Sequence, residues 1–303
     1  MLDKLAHVKW FNGSSVVAEP AFNAVELLVV AVIVIAGLAV FRYIDGFLKK
    51  RGIIAMLDKK FKKCRPWAPL IVRLSTAALL ITNFAHGFAL APNVELSDST
   101  LSWAISGLFL AASLLIGLGL FTRVGAGLML VGYLLVFGHA DFVDALDHFE
   151  YIAITGYLYL RGPGKYSLDS YLRGGKLAVN KLNRYSLDVH RAGVGIGLVV
   201  LALSEKILNV SVAQDFLNRY DWNVMSAVGV SDRYFILVAG AIELLVGVAL
   251  ILNYAPRLLI TVVLSLMVIT AILLGIDEIY GHLFAVGIVA TLWINDVKPA
   301  KNS

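Results

Sequence analysis

Apolar residues run along this chain in long stretches, separated by short segments that carry nearly all of the charge. With a window of about 19 residues, nine runs emerge, near 24–41, 70–91, 101–121, 124–140, 149–161, 191–209, 233–253, 257–275 and 279–295. A bilayer core of about 30 Å needs about 20 apolar helical residues per crossing. The pattern therefore predicts an all-α, polytopic membrane protein with about nine transmembrane helices.

Composition agrees with a chain whose solvent is lipid. Of its 303 residues, 59% are apolar and only 16% are charged, which excludes an ordinary soluble domain. The one cysteine, Cys64, excludes membrane enzymes that work through paired cysteines. No stretch has the pattern of a signal peptide, so we expect the first apolar run to stay in the membrane as an anchor.

The positions of Lys and Arg predict the orientation, because cytoplasmic connections retain basic residues. With the N-terminus outside and the C-terminus in the cytoplasm, the inner segments hold 20 of the 26 basic residues. Nine of these lie in 42–69 and seven in 161–191. We therefore predict a multi-pass protein of the plasma (inner) membrane.

The segment Phe47 to Phe61 is both basic and amphipathic. Apolar residues recur at helical spacing at Ile53, Ile54 and Leu57, and lysines and arginines surround them. This pattern predicts a helix on the inner membrane surface that contacts anionic lipids. Nucleic acid is not an expected partner.

After the first run, the same order of features occurs twice. Arg73 opens one unit and Arg191 the next, and each unit continues with a helix, an outer loop, a helix, a tight inner turn and two more helices. The turns end in Arg123 and Arg257. Because four crossings return the chain to the same side, the units are predicted to be parallel repeats about an axis along the membrane normal. The predicted division is 1–69, 70–189 and 190–303.

Short motifs in the two units resemble those of DoxX-type four-helix membrane proteins. In the first unit they are Leu118–Arg123 and Gly162–Asp169; in the second they are Ser204–Lys206, Gly240–Leu245 and Pro256–Arg257. The resemblance covers about 70–296 and implies a tandem duplication with one added N-terminal span. The first unit has Leu110 and Ala111 where the family's glutamate would fall.

The resemblance implies association with membrane redox systems, including subunits of thiosulfate and quinone oxidoreductases. A quinone is therefore one expected ligand, and a partner protein subunit is expected to contribute to the substrate site. The family's catalytic residues do not transfer to defined positions here, so the residues themselves must identify the site.

Ionisable groups inside apolar spans cost about 2.5 to 3.5 kcal/mol each on insertion scales. Glu243 lies about halfway along its run, and Lys206 is the nearest plausible cation, with Glu205 beside it. One interpretation is a structural ion pair that locks two helices. The other is that Glu243 relays protons or bonds a quinone-like ligand, which makes these three residues the catalytic candidates.

The densest polar cluster on the outer side runs from His139 to Glu150. If helical, this segment places Asp144 and His148 on one face, four residues apart. Imidazole and carboxylate ligands suit zinc, iron or copper, so His139, Asp144 and His148 are the candidate metal ligands. A solvated acidic helix start is the alternative.

Haem is a second possible cofactor, because two imidazoles from different helices can clamp an iron. His86 with His139 or His282 would serve, although a lone membrane histidine is more often a packing residue. The repeat alignment places His282 opposite Glu150, which predicts one polar position per unit facing a shared interior.

Three functions follow from these residues. The first is a quinone-linked membrane oxidoreductase subunit with a polar site near the outer leaflet. The second is a non-enzymatic scaffold or assembly factor, in which Glu243 and Lys206 only specify packing. The third is a carrier for a small solute or ion, with Glu243 and Glu205 as coupling groups.

Overall fold

The structure is a computed structural model that describes residues 20–91, 94–176, 181–274 and 283–295. Within these ranges all regular secondary structure is helical, apart from an isolated antiparallel bridge between Phe88 and Glu95. The predicted all-α class is therefore confirmed for the described part of the chain.

Every predicted apolar run contains a helix. In chain order the helices are α1 Ala24–Lys50, α2 Ile53–Phe61, α3 Ala68–His86, α4 Thr100–Leu118, α5 Thr122–Val136, α6 Phe142–Leu146, α7 Glu150–Arg161, α8 Leu168–Leu172, α9 Ser186–Ala202, α10 Val210–Tyr220, α11 Asp232–Ile251, α12 Pro256–Leu274 and α13 Leu283–Ile294. Short 3₁₀ segments lie at Lys62–Trp67, Lys181–Tyr185 and Ser226–Val228, and α9 continues into a π-helical turn at Leu203–Ile207.

Among the residues that the structure describes, five helical segments are long and apolar enough to cross a membrane, as judged by length and composition. They are Ala24–Lys50, Ile53–His86, Thr100–Leu118, Lys181–Ile207 and Asp232–Ile251. Three shorter apolar helices accompany them, Thr122–Val136, Pro256–Ile269 and Ala285–Ile294. Helix α7 has 12 residues and ends, as predicted, at Gly162, whose φ of 75° leaves the helical region.

The helices pack in two groups that contact each other. The first group consists of α3, α4, α5 and α7, and the second of α9, α11, α12 and α13. Helices α3, α4, α5 and α7 pack against one another, and α9 packs closely against α11. Helices α12 and α13 pack together, and α12 also touches α11. The groups meet where α13 lies against α3 and α7 lies against α9, while α1 packs on α11.

The tight turns before α5 and α12 have the same backbone conformation. Gly119 and Phe121 have positive φ values of 68° and 48°, and Asn253 and Ala255 have 60° and 44°. A left-handed conformation strains residues with a side chain, so its use at matching places in both turns is unusual.

The arginine that follows each turn makes the same bond. Nε of Arg123 donates to the Tyr159 carbonyl near the end of α7 at 3.0 Å. Nε of Arg257 donates to the Trp293 carbonyl near the end of α13, also at 3.0 Å. Each arginine thereby satisfies a carbonyl that has no partner within its own helix.

The predicted amphipathic helix begins later than expected. Phe47–Lys50 belong to α1, and the chain turns at Gly52, which has a φ of 69°, before α2 starts at Ile53. Asp58 of α2 accepts from Arg257 at 2.7 Å and from Arg65 at 2.9 Å, which attaches α2 to the start of α12.

Two ends of the bundle are named here by their charge. The basic end consists of 42–67, 119–123, 161–191 and 252–257, and the acidic end consists of 20–23, 87–99, 137–150 and 208–233. The predicted unit boundaries at 69/70 and 189/190 fall inside helices, because α3 already begins at Ala68 and α9 at Ser186.

Candidate functional site

The central feature of the site is Lys206, which faces two carboxylates. Its Nζ lies 2.8 Å from an oxygen of Glu243 and 3.8 Å from an oxygen of Glu205. The side chains of Lys206 and Glu243 are 17% and 22% exposed, whereas that of Glu205 is 2% exposed. The predicted pairing of Glu243 with Lys206 is confirmed.

The π-helical turn at Leu203–Ile207 brings these groups together. It presents Ser204, Glu205 and Lys206 in succession at the end of α9, and such turns in α-helices often occur at functional sites. Gly240 of α11 lets the turn approach closely, since a Cβ there would lie 3.1 Å from Cβ of Lys206. The mid-helix position of Glu243 on α11 then faces Lys206.

Asp147 connects the turn to the first group of helices. Its side chain accepts a hydrogen bond of 2.5 Å from the Ser204 hydroxyl, and the residue is only 2% exposed. Asp147 also interacts electrostatically with Lys206. We call Asp147, Ser204, Glu205, Lys206 and Glu243 the Lys206 cluster. It joins both groups of helices, and Asp147 belongs to the acidic end.

A second buried pair lies next to the cluster. Nδ1 of His148 is 3.3 Å from an oxygen of Glu150, and both residues are buried. Glu150 begins α7 and interacts electrostatically with Tyr133 and Tyr151. Glu150, a candidate cofactor-binding residue, is thus a buried polar residue beside the cluster.

Two stacked tyrosines that the sequence analysis did not identify extend the polar region. The rings of Tyr133 and Tyr151 are 5.7 Å apart and nearly parallel, at 12°. The Tyr133 hydroxyl donates to the Ala145 carbonyl at 2.9 Å, and Asn83 donates to the Tyr151 hydroxyl at 3.0 Å. A criterion based on ionisable groups misses such residues, because tyrosine and asparagine in a span carry no charge.

Two of the candidate haem histidines, His86 and His139, contact a loop at the acidic end. His86 bonds the Thr82 carbonyl at 2.8 Å and stacks on Phe88, while Nε2 of His139 bonds the Glu95 carbonyl at 2.9 Å. Because Phe88 bridges to Glu95, both imidazoles contact the same loop. The third candidate, His282, lies outside the described residues.

The candidate metal ligands are distributed over separate segments. Asp141 caps α6 by accepting from the Val143 amide at 2.8 Å, and α6 ends at Leu146. Asp144 therefore lies on a helix that His148, in the following turn, does not share. Across the four described ranges, no three His, Cys, Asp or Glu side chains are grouped to hold a metal ion.

An ion pair that the sequence analysis did not identify fixes α1 to α11. Arg233 donates from Nε and from an Nη to the two oxygens of Glu26, at 2.7 Å each. The same guanidinium donates to the Pro20 and Ala21 carbonyls and lies over the Phe22 ring. A bidentate pair of this kind is among the stronger interactions available to charged groups.

Comparison of the chain with protein-family models, with curated proteins and with solved structures finds no match.

Proposed function

We propose that this chain is the proton-handling membrane subunit of a quinone-linked oxidoreductase and that the Lys206 cluster is its working site. The observation that carries the proposal is Lys206 Nζ, held 2.8 Å from Glu243 and 3.8 Å from Glu205 in a largely buried position. Intramembrane ionisable groups of this kind mark proton relays and ligand sites.

The composition of the cluster suits proton transfer. The carboxylates of Glu205, Glu243 and Asp147 all lie around Lys206. Chains of acidic and basic side chains inside a membrane are the groups that form proton relays. In this proposal the cluster passes protons between its own side chains and a bound ligand.

Reduction of a quinone to a quinol consumes two electrons and two protons. In this proposal the Lys206 cluster supplies protons to the quinone oxygens, and a partner subunit supplies the electrons. The resemblance to DoxX-type proteins favours a quinone over other hydrogen acceptors. The histidines contribute to the fold here, so the proposal assigns them neither haem nor a metal.

We further propose nine crossings, with the N-terminus outside and the acidic end facing away from the cytoplasm. The distribution of basic residues supports this orientation. Helix α7 is short for a crossing, since 12 residues span about 18 Å. The turn at Asp147 and His148 continues its path towards the acidic end.

Two duplicated four-helix units complete the proposal. Supporting it, Arg123 and Tyr159 are 36 residues apart, and so are Arg257 and Trp293. In this register Tyr157 corresponds to Thr291, and each lies two residues before the carbonyl that the arginine binds.

The same register corrects one detail of the sequence alignment. His148 follows Arg123 by as many residues as His282 follows Arg257. His282 therefore corresponds to His148 and not to Glu150.

Quinone binding tests the proposal directly. Decylubiquinone titrated into the protein in nanodiscs should quench its intrinsic fluorescence. Glu243→Gln should weaken binding about 10- to 100-fold, the value of one hydrogen bond to a charged group. Glu95→Gln, in the acidic-end loop, is the control and should bind as the wild type does. Equal binding by both variants, or quenching no greater than in empty nanodiscs, would overturn the assignment.

A scaffold is the second candidate, and the direct contact of Ser204 with Asp147 favours it because this bond ties the two groups of helices together. A scaffold needs packing but no exchangeable proton. Replacing Lys206 and Glu243 together by Met and Leu should preserve its assembly with partners, whereas a proton-handling subunit should lose turnover.

A further inference from the structure

A half-enclosed cavity of about 200 Å³ lies at the basic end of the bundle, and no residue of the Lys206 cluster lines it. It is enclosed by the end of α1, by α2, and by the turn that leads into α12. Its walls are mostly apolar and include Leu48, Ile53, Ile54, Leu57, Leu258 and Trp293.

The lining of the cavity also includes polar and charged residues, among them Asp45, Lys49, Arg257 and Thr261. We call the exposed edge of the cavity at Lys49 its rim. Lys49 Nζ is 2.5 Å from Asp45, yet its side chain is 49% exposed, so the ammonium group can reach a further anion. The combination of an apolar interior and a cationic rim fits an amphiphile with an anionic head group.

The surrounding charge favours an anion strongly. Segment 42–69 contains nine basic residues and two acidic ones, Asp45 and Asp58. Asp45 also accepts from the Ala255 amide at 3.2 Å, and Asp58 is bonded to Arg65 and Arg257. Among the described residues, this leaves the other cations of the segment without a carboxylate partner, and they raise the local concentration of anionic lipid.

We propose that this cavity binds one anionic glycerophospholipid. An acyl chain enters between Leu57 and Trp293, and the phosphate contacts Lys49 at the rim. An engineered apolar cavity of about 150 Å³ holds a benzene molecule, so this one has room for a segment of acyl chain. Inorganic phosphate would gain nothing from the apolar walls. The site is independent of the quinone proposal.

Native mass spectrometry after reconstitution in an equimolar mixture of phosphatidylglycerol and phosphatidylcholine tests the site. We expect one phosphatidylglycerol retained per chain. Leu57→Trp fills the cavity and should abolish retention, whereas Met56→Trp, its neighbour outside the lining and 62% exposed, should not. Lys49→Gln should lower retention about fivefold, and Lys50→Gln less than twofold.

Circular dichroism of each variant separates lipid loss from misfolding. If Leu57→Trp loses helicity, the comparison of Lys49→Gln with Lys50→Gln decides alone. Equal retention of both lipids, equal retention by Leu57→Trp and Met56→Trp when both are folded, or displacement of the lipid by millimolar inorganic phosphate would each overturn the proposal.

Discussion

Replacing Lys206 by Met should destabilise the protein more than replacing Glu243 by Leu, because Lys206 is shared by two carboxylates. Its Nζ lies 2.8 Å from Glu243 and 3.8 Å from Glu205. At an effective dielectric constant of 20, these separations correspond to attractions of about 6 and about 4 kcal/mol before desolvation is subtracted. Loss of the lysine removes both attractions, whereas loss of Glu243 removes one.

The expected costs follow from what each change leaves behind. Lys206→Met leaves two carboxylates in the bundle without this cation. Removing one partner of a buried ion pair typically costs about 3 to 5 kcal/mol, and we expect a cost of about that size here. Glu243→Leu leaves Lys206 beside Glu205, so the cost should be about 1.5 to 3 kcal/mol. The double variant should stay less stable than wild type, because Glu205 is 2% exposed and has lost the lysine. Adding Glu205→Gln should restore stability.

Unfolding free energies measured by titration with sodium dodecyl sulfate in mixed micelles would establish this order. Circular dichroism reports the helices, and Lys206→Arg, which keeps the charge, serves as the control. The reasoning fails if Glu243→Leu costs as much as Lys206→Met, or if the double variant already matches wild type without a change at Glu205.

Two further predictions concern helix contacts away from the cluster. Gly195→Ala should cost about 1 to 3 kcal/mol, because its Cβ would lie 2.6 Å from the Gly247 carbonyl oxygen; Gly127→Ala, which meets nothing within 4 Å, should be close to neutral in the same titration. Arg233→Met should release the N-terminal end of α1 and speed hydrogen exchange there, by leaving Glu26 uncompensated. Adding Glu26→Leu should slow that exchange again, and unchanged exchange in the single variant would contradict the role given to this pair.

The helices could be predicted because lipid imposes a simple requirement. Each crossing must satisfy its own backbone and present apolar side chains, so hydropathy alone locates the nine runs, each of which contains a helix. Helices α2, α6, α8 and α10 lie outside those runs. The pairing of Glu243 with Lys206 was predictable for the same reason, since a charge in a span needs a partner. Gly52 is the sequence signal that separates α1 from α2, because glycine readily adopts the positive φ that the chain has there.

The features that could not be predicted depend on which helices become neighbours. Ser204 meets Asp147 and Arg233 meets Glu26 only because α7 packs on α9 and α1 packs on α11, and hydropathy contains no information on either contact. The expected placement of Asp144 and His148 on one helix face fails because of the local secondary structure. A cap at Asp141 starts a helix that ends at Leu146, so the spacing of Asp144 and His148 does not place them on one helix face.

The first helix shows how polar bonds can position a span where apolar burial cannot. Only 6% of the apolar window of α1 is buried, and lipid tails are as apolar as the residues they contact, so burial contributes little to its association. Instead, α1 is bonded near both ends, by Glu26 to Arg233 and by Asp45 to the Ala255 amide. Between these points Gly37 admits the side chain of Leu245. Asp45 also lines the cavity at the basic end, so the proposed lipid site depends on the position of the same helix.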